Sequence, residues 1–349
     1  SVQRLREIGL EPDMLICRTE NNHHLNQKLK KKLGLFCNIV TGHVFESPDV
    51  KSIYEIPLVL HKQGFDAAIV NRLGLQSDAC HKNIEHLEDF IYTFKNPATE
   101  VNIAMCGKYN SLHDAYKSII EAFIHSGVAN NTEVNIKWVD TEELETATDI
   151  ASYFEDIDGV LIPGGFGDRG IEGKILSSAY ARENKIPYLG ICLGMQCAII
   201  DFARNVCGMK NANSSEFKSR LKFPVVDLMH GQRNVTKKGA TMRLGAYPCE
   251  VKSGTNAYRA YGRKRITERH RHRFEVNNAF KNELVQSGLI ISGVNNDLDL
   301  VEMIEVRDHP WFVGVQFHPE LKSRVVDVHP LFKDFISAAK EYRNDGSES

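Results

Sequence analysis

From residue 101 onward, short apolar runs suited to strands alternate with longer runs of helical spacing. No other feature of this 349-residue chain restricts the fold as tightly. Residues 101–106, 133–139, 159–163 and 187–191 read as strands; residues 112–125, 170–182 and 193–206 read as helices. Such an alternation folds as βαβ units, whose parallel strands are covered by helices on both faces. The expected class is α/β, an open, mostly parallel sheet flanked by helices. Ligands bind such sheets at the carboxyl ends of the strands, in the loops that lead into helices. Residues 210–300 are less regular and more polar, and a further strand pair is expected near residues 300–306 and 311–316.

Residues 1–98 form a separate block. Pro12 ends a first helical stretch and residues 14–17 read as a short strand. Residues 25–33 are lysine-rich and helical, residues 35–40 read as a second strand, and helical spacing returns from Ile53 and again over 84–94. The run Lys95-Asn96-Pro97-Ala98 has linker chemistry. Two domains are therefore expected, over 1–98 and 99–343, with a disordered polar tail at 344–349. The chain begins at Ser1 with apolar spacing already under way, as if cut from something longer.

Charge narrows the function classes. Lys plus Arg is 43 and Asp plus Glu is 45, a net charge of -2, which argues against a nucleic-acid partner. No apolar run approaches the ~20 residues of a bilayer span, so no membrane partner is expected. None of the eight cysteines forms a CxxC pair, and several sit in apolar runs. They read as reduced thiols of a cytoplasmic protein, not as disulfides or a metal site, and no metal ligands are assigned.

Three segments carry chemistry. In Leu189-Gly190-Ile191-Cys192-Leu193-Gly194-Met195-Gln196 an apolar strand runs through Gly-x-Cys-x-Gly into a helix, the thiol form of a nucleophile elbow. The helix N-terminus favours a thiolate there. Alone, the pattern fits a buried cysteine in a tight turn as well. In Gly314-Val315-Gln316-Phe317-His318-Pro319-Glu320, His318 and Glu320 stand two residues apart after an apolar strand, so an extended chain turns both to one side. Glu320 can then orient His318 as a general base and acid. In Pro163-Gly164-Gly165-Phe166-Gly167 glycines let backbone N–H groups approach a ligand, as an oxyanion hole requires, although a plain turn fits too. A P-loop does not fit, because Gly167 to Gly173-Lys174 has one residue too many and Ile175 stands where a hydroxyl is needed.

Together, in this order, the three segments resemble the class I glutamine amidotransferases. Residues 211–217, 239–245 and 268–275 (the run Glu-Arg-His-Arg-His-Arg-Phe-Glu) are similar to the glutaminase domain of the CTP synthases. Residues 1–18, 35–38 and 49–60 resemble the back part of that family's Rossmann-like amidoligase domain. The resemblance implies Cys192 as nucleophile, with His318 and Glu320 completing a triad. It implies Gly164 and Leu193 as oxyanion donors, and Gly165, Leu193, Gly194, Met195, Gln196, Glu216 and Arg273 as the L-glutamine site. Glu216 and Arg273 suit the ammonium and carboxylate of glutamine, without fixing which meets which. Lys32, Asp49 and Val50 match nucleotide-binding positions. The lysine run from Lys28 otherwise reads as a solvated helix face; an extended chain puts Arg269, Arg271 and Arg273 on one side, and beside Arg273 the resemblance leaves the other two structural or regulatory.

The family's reaction uses ammonia from glutamine to convert UTP to CTP with ATP and Mg2+, is activated by GTP and inhibited by CTP, and is carried out by a homotetramer that can form filaments. The P-loop, acidic magnesium ligands and basic UTP motif of that family are not found here. A chain with glutamine hydrolysis alone is therefore expected, and no cofactor is assigned to it. Ala240 replaces a glycine of the family's lid motif. A different triad amidotransferase and a non-catalytic assembly module stand as the rival readings.

Overall fold

The computed structural model describes residues 1–20, 23–75, 80–108, 113–228 and 242–347. The chain divides into two compact units, Ser1–Asn96 and Pro97–Ser349.

In the first unit, α1 (Val2–Glu7), β1 (Leu15–Thr19), α2 (Gln27–Cys37), β2 (Val44–Pro48), α3 (Ile56–Lys62), α4 (Phe65–Leu73) and α5 (Cys80–Lys95) follow in order. Strands β1 and β2 pair in parallel, Leu15 opposite Val44. Residues 35–40 are not the strand that their apolar content suggests. Asn26 caps α2 by accepting the Leu29 N–H, the helix runs through Cys37, and Asn38 ends it in the left-handed conformation (φ 51°). Gly34 explains the tight exit: a Cβ there would stand 2.6 Å from the Ile39 carbonyl oxygen.

The second unit runs β3 (Thr99–Gly107), α6 (Lys117–Ala129), β4 (Thr132–Asp140), α7 (Thr141–Leu144), β5 (Gly159–Ile162), α8 (Ile171–Glu183), β6 (Tyr188–Ile191), α9 (Leu193–Asn205), β7 (Asn213–Ser214), β8 (Pro224–Leu228), β9 (Arg243–Val251), α10 (Asn256–Tyr261), β10 (Arg265–His272), β11 (Phe274–Val276), α11 (Lys281–Gln286), β12 (Leu289–Asn295), β13 (Leu300–Val306), β14 (Phe312–Val315) and α12 (Pro330–Ser347). Among the described residues one sheet has nine strands in the order β10-β9-β12-β13-β14-β6-β5-β3-β4. The run from β14 to β4 is parallel, and the run from β10 to β14 is antiparallel. The α/β sheet is thus open and flanked by helices. Its antiparallel half comes largely from the stretch whose polarity hid its strands.

Residue pattern separates the halves. Every residue of β5 (GVLI) and β6 (YLGI) is buried, as a strand sandwiched between helices requires. Strand β10 alternates exposed and buried along its length, so it has one wet face. One core cluster packs α8 and α9 residues such as Ile175 and Ile199 against the sheet. A second packs α6 and α12 residues such as Phe123, Phe332 and Phe335 against it. Helix α12 continues to Ser347, into the segment whose composition suggests a frayed tail.

Candidate active site

Parallel pairing brings distant segments together. Strands β14 and β6 lie side by side with Val315 opposite Ile191, so the residues leaving both strands emerge at the same sheet edge. The Cys192 N–H donates to the Val315 carbonyl at 2.6 Å, and Gln316 donates from Nε2 to the Cys192 sulfur at 3.6 Å. Cys192 is buried and has φ 52° and ψ -100°, left-handed backbone that a non-glycine residue adopts only under constraint. The constraint comes from its neighbours. A Cβ on Gly194 would stand 2.2 Å from the Ile162 carbonyl oxygen, and one on Gly190 would stand 2.8 Å from both the Gly194 carbonyl carbon and Tyr188. Only glycines let helix α9 start this close to β5, and the turn lifts Cys192 to the helix N-terminus.

His318 follows β14, with its N–H held by the Arg269 carbonyl at 2.8 Å and its Nδ1 2.7 Å from Glu320 Oε1. Burial pushes the imidazole towards neutrality. Hydrogen bonding to Cys192 and Glu320, and their negative charge, overcome that and push its pKa up to about 10. Among the described residues neither Nε2 of His318 nor Oε2 of Glu320, both buried atoms, has a well-aligned hydrogen-bond partner, which leaves the imidazole Nε2 to a reacting group. Gly164 touches the same place: a Cβ there would stand 2.8 Å from His318 Cε1 and 3.5 Å from Cys192 Cβ. Leu193 is the first residue of α9, so its N–H has no intrahelical acceptor.

Cys192 lies between two cavities. One of about 70 Å³ is lined by Gly165, Leu193, Gln196, Glu216, Arg273 and neighbours. Burial raises the Glu216 carboxyl, opposed by Arg273, by the Gly167 N–H and by Lys108. Among the described residues, the buried Arg273 Nε has no hydrogen-bond partner. The other, about 300 Å³, is lined by Gly164, Arg271, His318 and Glu320 among others. A larger cavity of about 670 Å³, lined by Arg263, Arg265 and Lys322 among others, touches none of the three reactive side chains, so size alone does not mark the chemistry.

Sequence and structure also meet in the comparisons with known proteins. Residues 111–338 match the family model described as glutamine amidotransferase class-I, and residues 1–75 match the one described as CTP synthase N-terminus. A solved structure, the glutaminase domain of Trypanosoma brucei CTPS with bound acivicin, is 38% identical, covers 69% of this chain and 94% of that one, and superposes with a TM-score of 0.65. The chain belongs to the CTP synthase family. CTP synthase of Clostridium kluyveri is 51% identical over 97% of this chain and 62% of that one; that of Caldanaerobacter subterraneus is 50% identical over 100% and 64%. The chain thus spans somewhat under two thirds of the length of these relatives. Because the N-terminal family model matches within it, the expectation of a chain reduced to glutamine hydrolysis finds no support in these matches.

Not every expected position in this CTP synthase relative reaches the cavity. Leu193 and Gln196 line it, and Gln196 is fixed by the Phe274 carbonyl at 2.9 Å and Gln316 at 3.2 Å. Met195 is wholly buried in the core, and Gly194 packs on Ile162, so these two shape the turn instead. Arg273 leaves the arginine row: β10 ends at His272, and Arg273 lines the small cavity while Arg271 lines the larger one beside it. Lys32 is exposed on α2, and Asp49 and Val50 follow β2 in the first unit. Among the described residues no hydrogen bond or ion pair joins Lys32 to either. Of the lid-like run 239–245, residues 239–241 including Ala240 lie outside the described residues.

Sequence reasoning missed three neighbours. Gln316 sat inside a quoted motif without a role; strand alternation places it opposite Val315 and towards the sulfur. Lys174 is buried within α8, with Nζ 3.5 Å from where a Gly165 Cβ would stand; burial lowers its pKa. Lys108, at the end of β3, donates from Nζ to the Phe166 carbonyl. A lysine in a helix or after a strand carries no sequence signal for such contacts.

Proposed function

We propose that this chain hydrolyses L-glutamine at Cys192 and that the protein is a CTP synthase, which passes the ammonia to an ATP-dependent amination of UTP. The observation that carries this reading is the convergence of a cysteine on a strained elbow and an imidazole held 2.7 Å from a carboxylate, both against the same glycine, Gly164. The thiolate attacks the side-chain amide carbon of glutamine. The N–H groups of Gly164 and Leu193 receive the negative oxygen of the tetrahedral intermediate. His318 gives its proton to the departing nitrogen, so ammonia leaves and a γ-glutamyl thioester remains. Neutral His318 then takes a proton from water as it attacks the thioester, and glutamate and the thiol are restored. Glu320 keeps the ring aligned throughout. Glu216 and Arg273 give the glutamine ammonium and carboxylate one partner of each sign.

ATP, UTP, GTP as activator, CTP as inhibitor, the homotetramer with its filaments and a cytoplasmic setting belong to the same proposal, supported by the family. Lys32, Asp49 and Val50 are its nucleotide-binding positions. Among the described residues no group of His, Cys, Asp and Glu side chains is arranged to hold a metal ion, so no step here is routed through Mg2+. No helix among them is long and apolar enough to cross a membrane.

Cys192→Ala tests the reading. Glutamate release from glutamine should fall to background while the fold persists, and a glutamine-mimicking electrophile should label the wild-type chain at Cys192 alone. Undiminished hydrolysis in the variant, or no labelling of folded protein, sinks the proposal; the latter favours an assembly module.

A further inference from the structure

The glycine loop between β5 and α8 is gripped at a single point from two sides. Lys108 Nζ donates to the Phe166 carbonyl, and the same Nζ lies 3.6 Å from where a Cβ of Gly167 would stand. From the opposite side the Glu216 carboxylate accepts the Gly167 N–H. Gly167 has φ 83°, so the chain reverses there and the peptide between residues 166 and 167 is what the two side chains hold. Just upstream stand Gly164, beside His318 and Cys192, and Gly165, where an added Cβ would stand 3.5 Å from both Lys174 Nζ and Leu193 Cδ2. Lys108 and Glu216 are also opposite charges with mutual influence, so the grip couples the carboxylate of the small cavity to the loop of the oxyanion donor.

We propose that Lys108 is a positioning residue that fixes the Gly164–Gly167 loop through the Phe166 carbonyl and thereby aims the Gly164 N–H at the reacting oxygen. This rests on the glutaminase reading above and adds to it a residue that touches neither sulfur nor imidazole. Charged groups among the described residues also bear on the lysine. Glu216 attracts it, and Lys174, behind Gly165, repels it. An oxyanion donor displaced by a fraction of its hydrogen-bond length loses its effect on the transition state and little of its effect on the ground state.

The test compares Lys108→Met and Lys108→Arg with the wild-type 349-residue chain in three measurements: kcat and KM for glutamine hydrolysis, and the rate of Cys192 alkylation by iodoacetamide. Alkylation forms no oxyanion, so it reads the thiolate alone. The expected result is a kcat lower by on the order of 100-fold in Lys108→Met, with KM and alkylation unchanged and most of kcat restored in Lys108→Arg. A rise in KM with kcat intact overturns the proposal, since the lysine would then act only on substrate charge. Parallel loss of alkylation and kcat, or an arginine variant no better than methionine, overturns it too. If Cys192→Ala retains hydrolysis in the same assay, the reading of the site has failed and not the role of the lysine.

Discussion

In the second unit His318 and the buried pair His270 and His272 are pushed towards opposite protonation states. His318 sits between Cys192 and Glu320, and its pKa is pushed up to about 10. His270 and His272, on β10, are pushed down to about 2 and about 3. Burial acts the same way on all three, so the neighbours decide. Around His318 they are a thiol and a carboxylate. Around His270 and His272 the Arg243 guanidinium adds to burial, although Glu302 lies 3.6 Å from His270 Nε2 and Glu275 lies 3.5 Å from His272 Nδ1. The two rings are 2.9 Å apart, Nδ1 to Nε2, a geometry that suits neutral imidazoles. Arg243 Nη2 lies 2.6 Å from Glu302 and Nη1 lies 3.8 Å from Glu275, without well-aligned hydrogen bonds. Burial pushes the Glu275 carboxyl up to about 8, against Arg243. The difference teaches how one residue type serves two ends. On the proposed reading one imidazole stores a proton for chemistry; the others fill a buried polar seam as neutral hydrogen-bonding rings.

The largest expected effect falls on that seam. Arg243→Met leaves Glu302 and Glu275 buried without their cation, and loss of one partner from a buried ion pair typically costs about 3–5 kcal/mol. Urea unfolding should show it as a lower midpoint at unchanged slope; a change below about 1 kcal/mol would mean the pair is no stronger than a surface one. The next effect falls on the other cluster and spares stability. In Gly164→Ala the new Cβ stands 2.8 Å from His318 Cε1, so the ring or the loop must move. Loss of one oxyanion donor costs roughly 10²–10³ in kcat. Steady-state glutamine hydrolysis and a melting curve, read together, should show a large kinetic loss and a nearly constant melting temperature. The reverse pattern would make Gly164 a packing residue only.

The first cluster was legible in the sequence because its geometry is local. A strand, a glycine-flanked cysteine and a helix lie in one short run, and His-x-Glu spans three residues; parallel pairing of β6 with β14 does the rest. The seam was not legible. Arg243, His270, Glu275 and Glu302 come from four strands of an antiparallel region whose polar residues face inward, so their alternation reads as a solvated face. Periodicity reports which residues share a side, not whether that side is wet. The same limit misplaced residues 35–40, where the apolar content of a helix end imitates a strand, and kept Arg273 in line with its neighbours although the chain turns after His272.

The smallest effect separates the clusters by sign. A histidine held neutral in the folded chain binds protons more readily once unfolded, so its contribution is present above the ordinary value of 6.5 and is lost as pH falls below it. His270 and His272 act this way, and so does His309, whose pKa burial pushes down to about 4. His318 acts oppositely: its contribution is complete below 6.5 and is lost as pH rises through about 10. Between pH 7 and pH 6 each neutral-held ring removes roughly 0.7 kcal/mol of stability, and His318 restores about as much. Unfolding free energies measured at both pH values should therefore show a steeper acid loss in His318→Gln and a shallower one in His270→Asn. Equal slopes in the two variants would mean that neighbours do not set these protonation states, and the contrast between the clusters would fall with them.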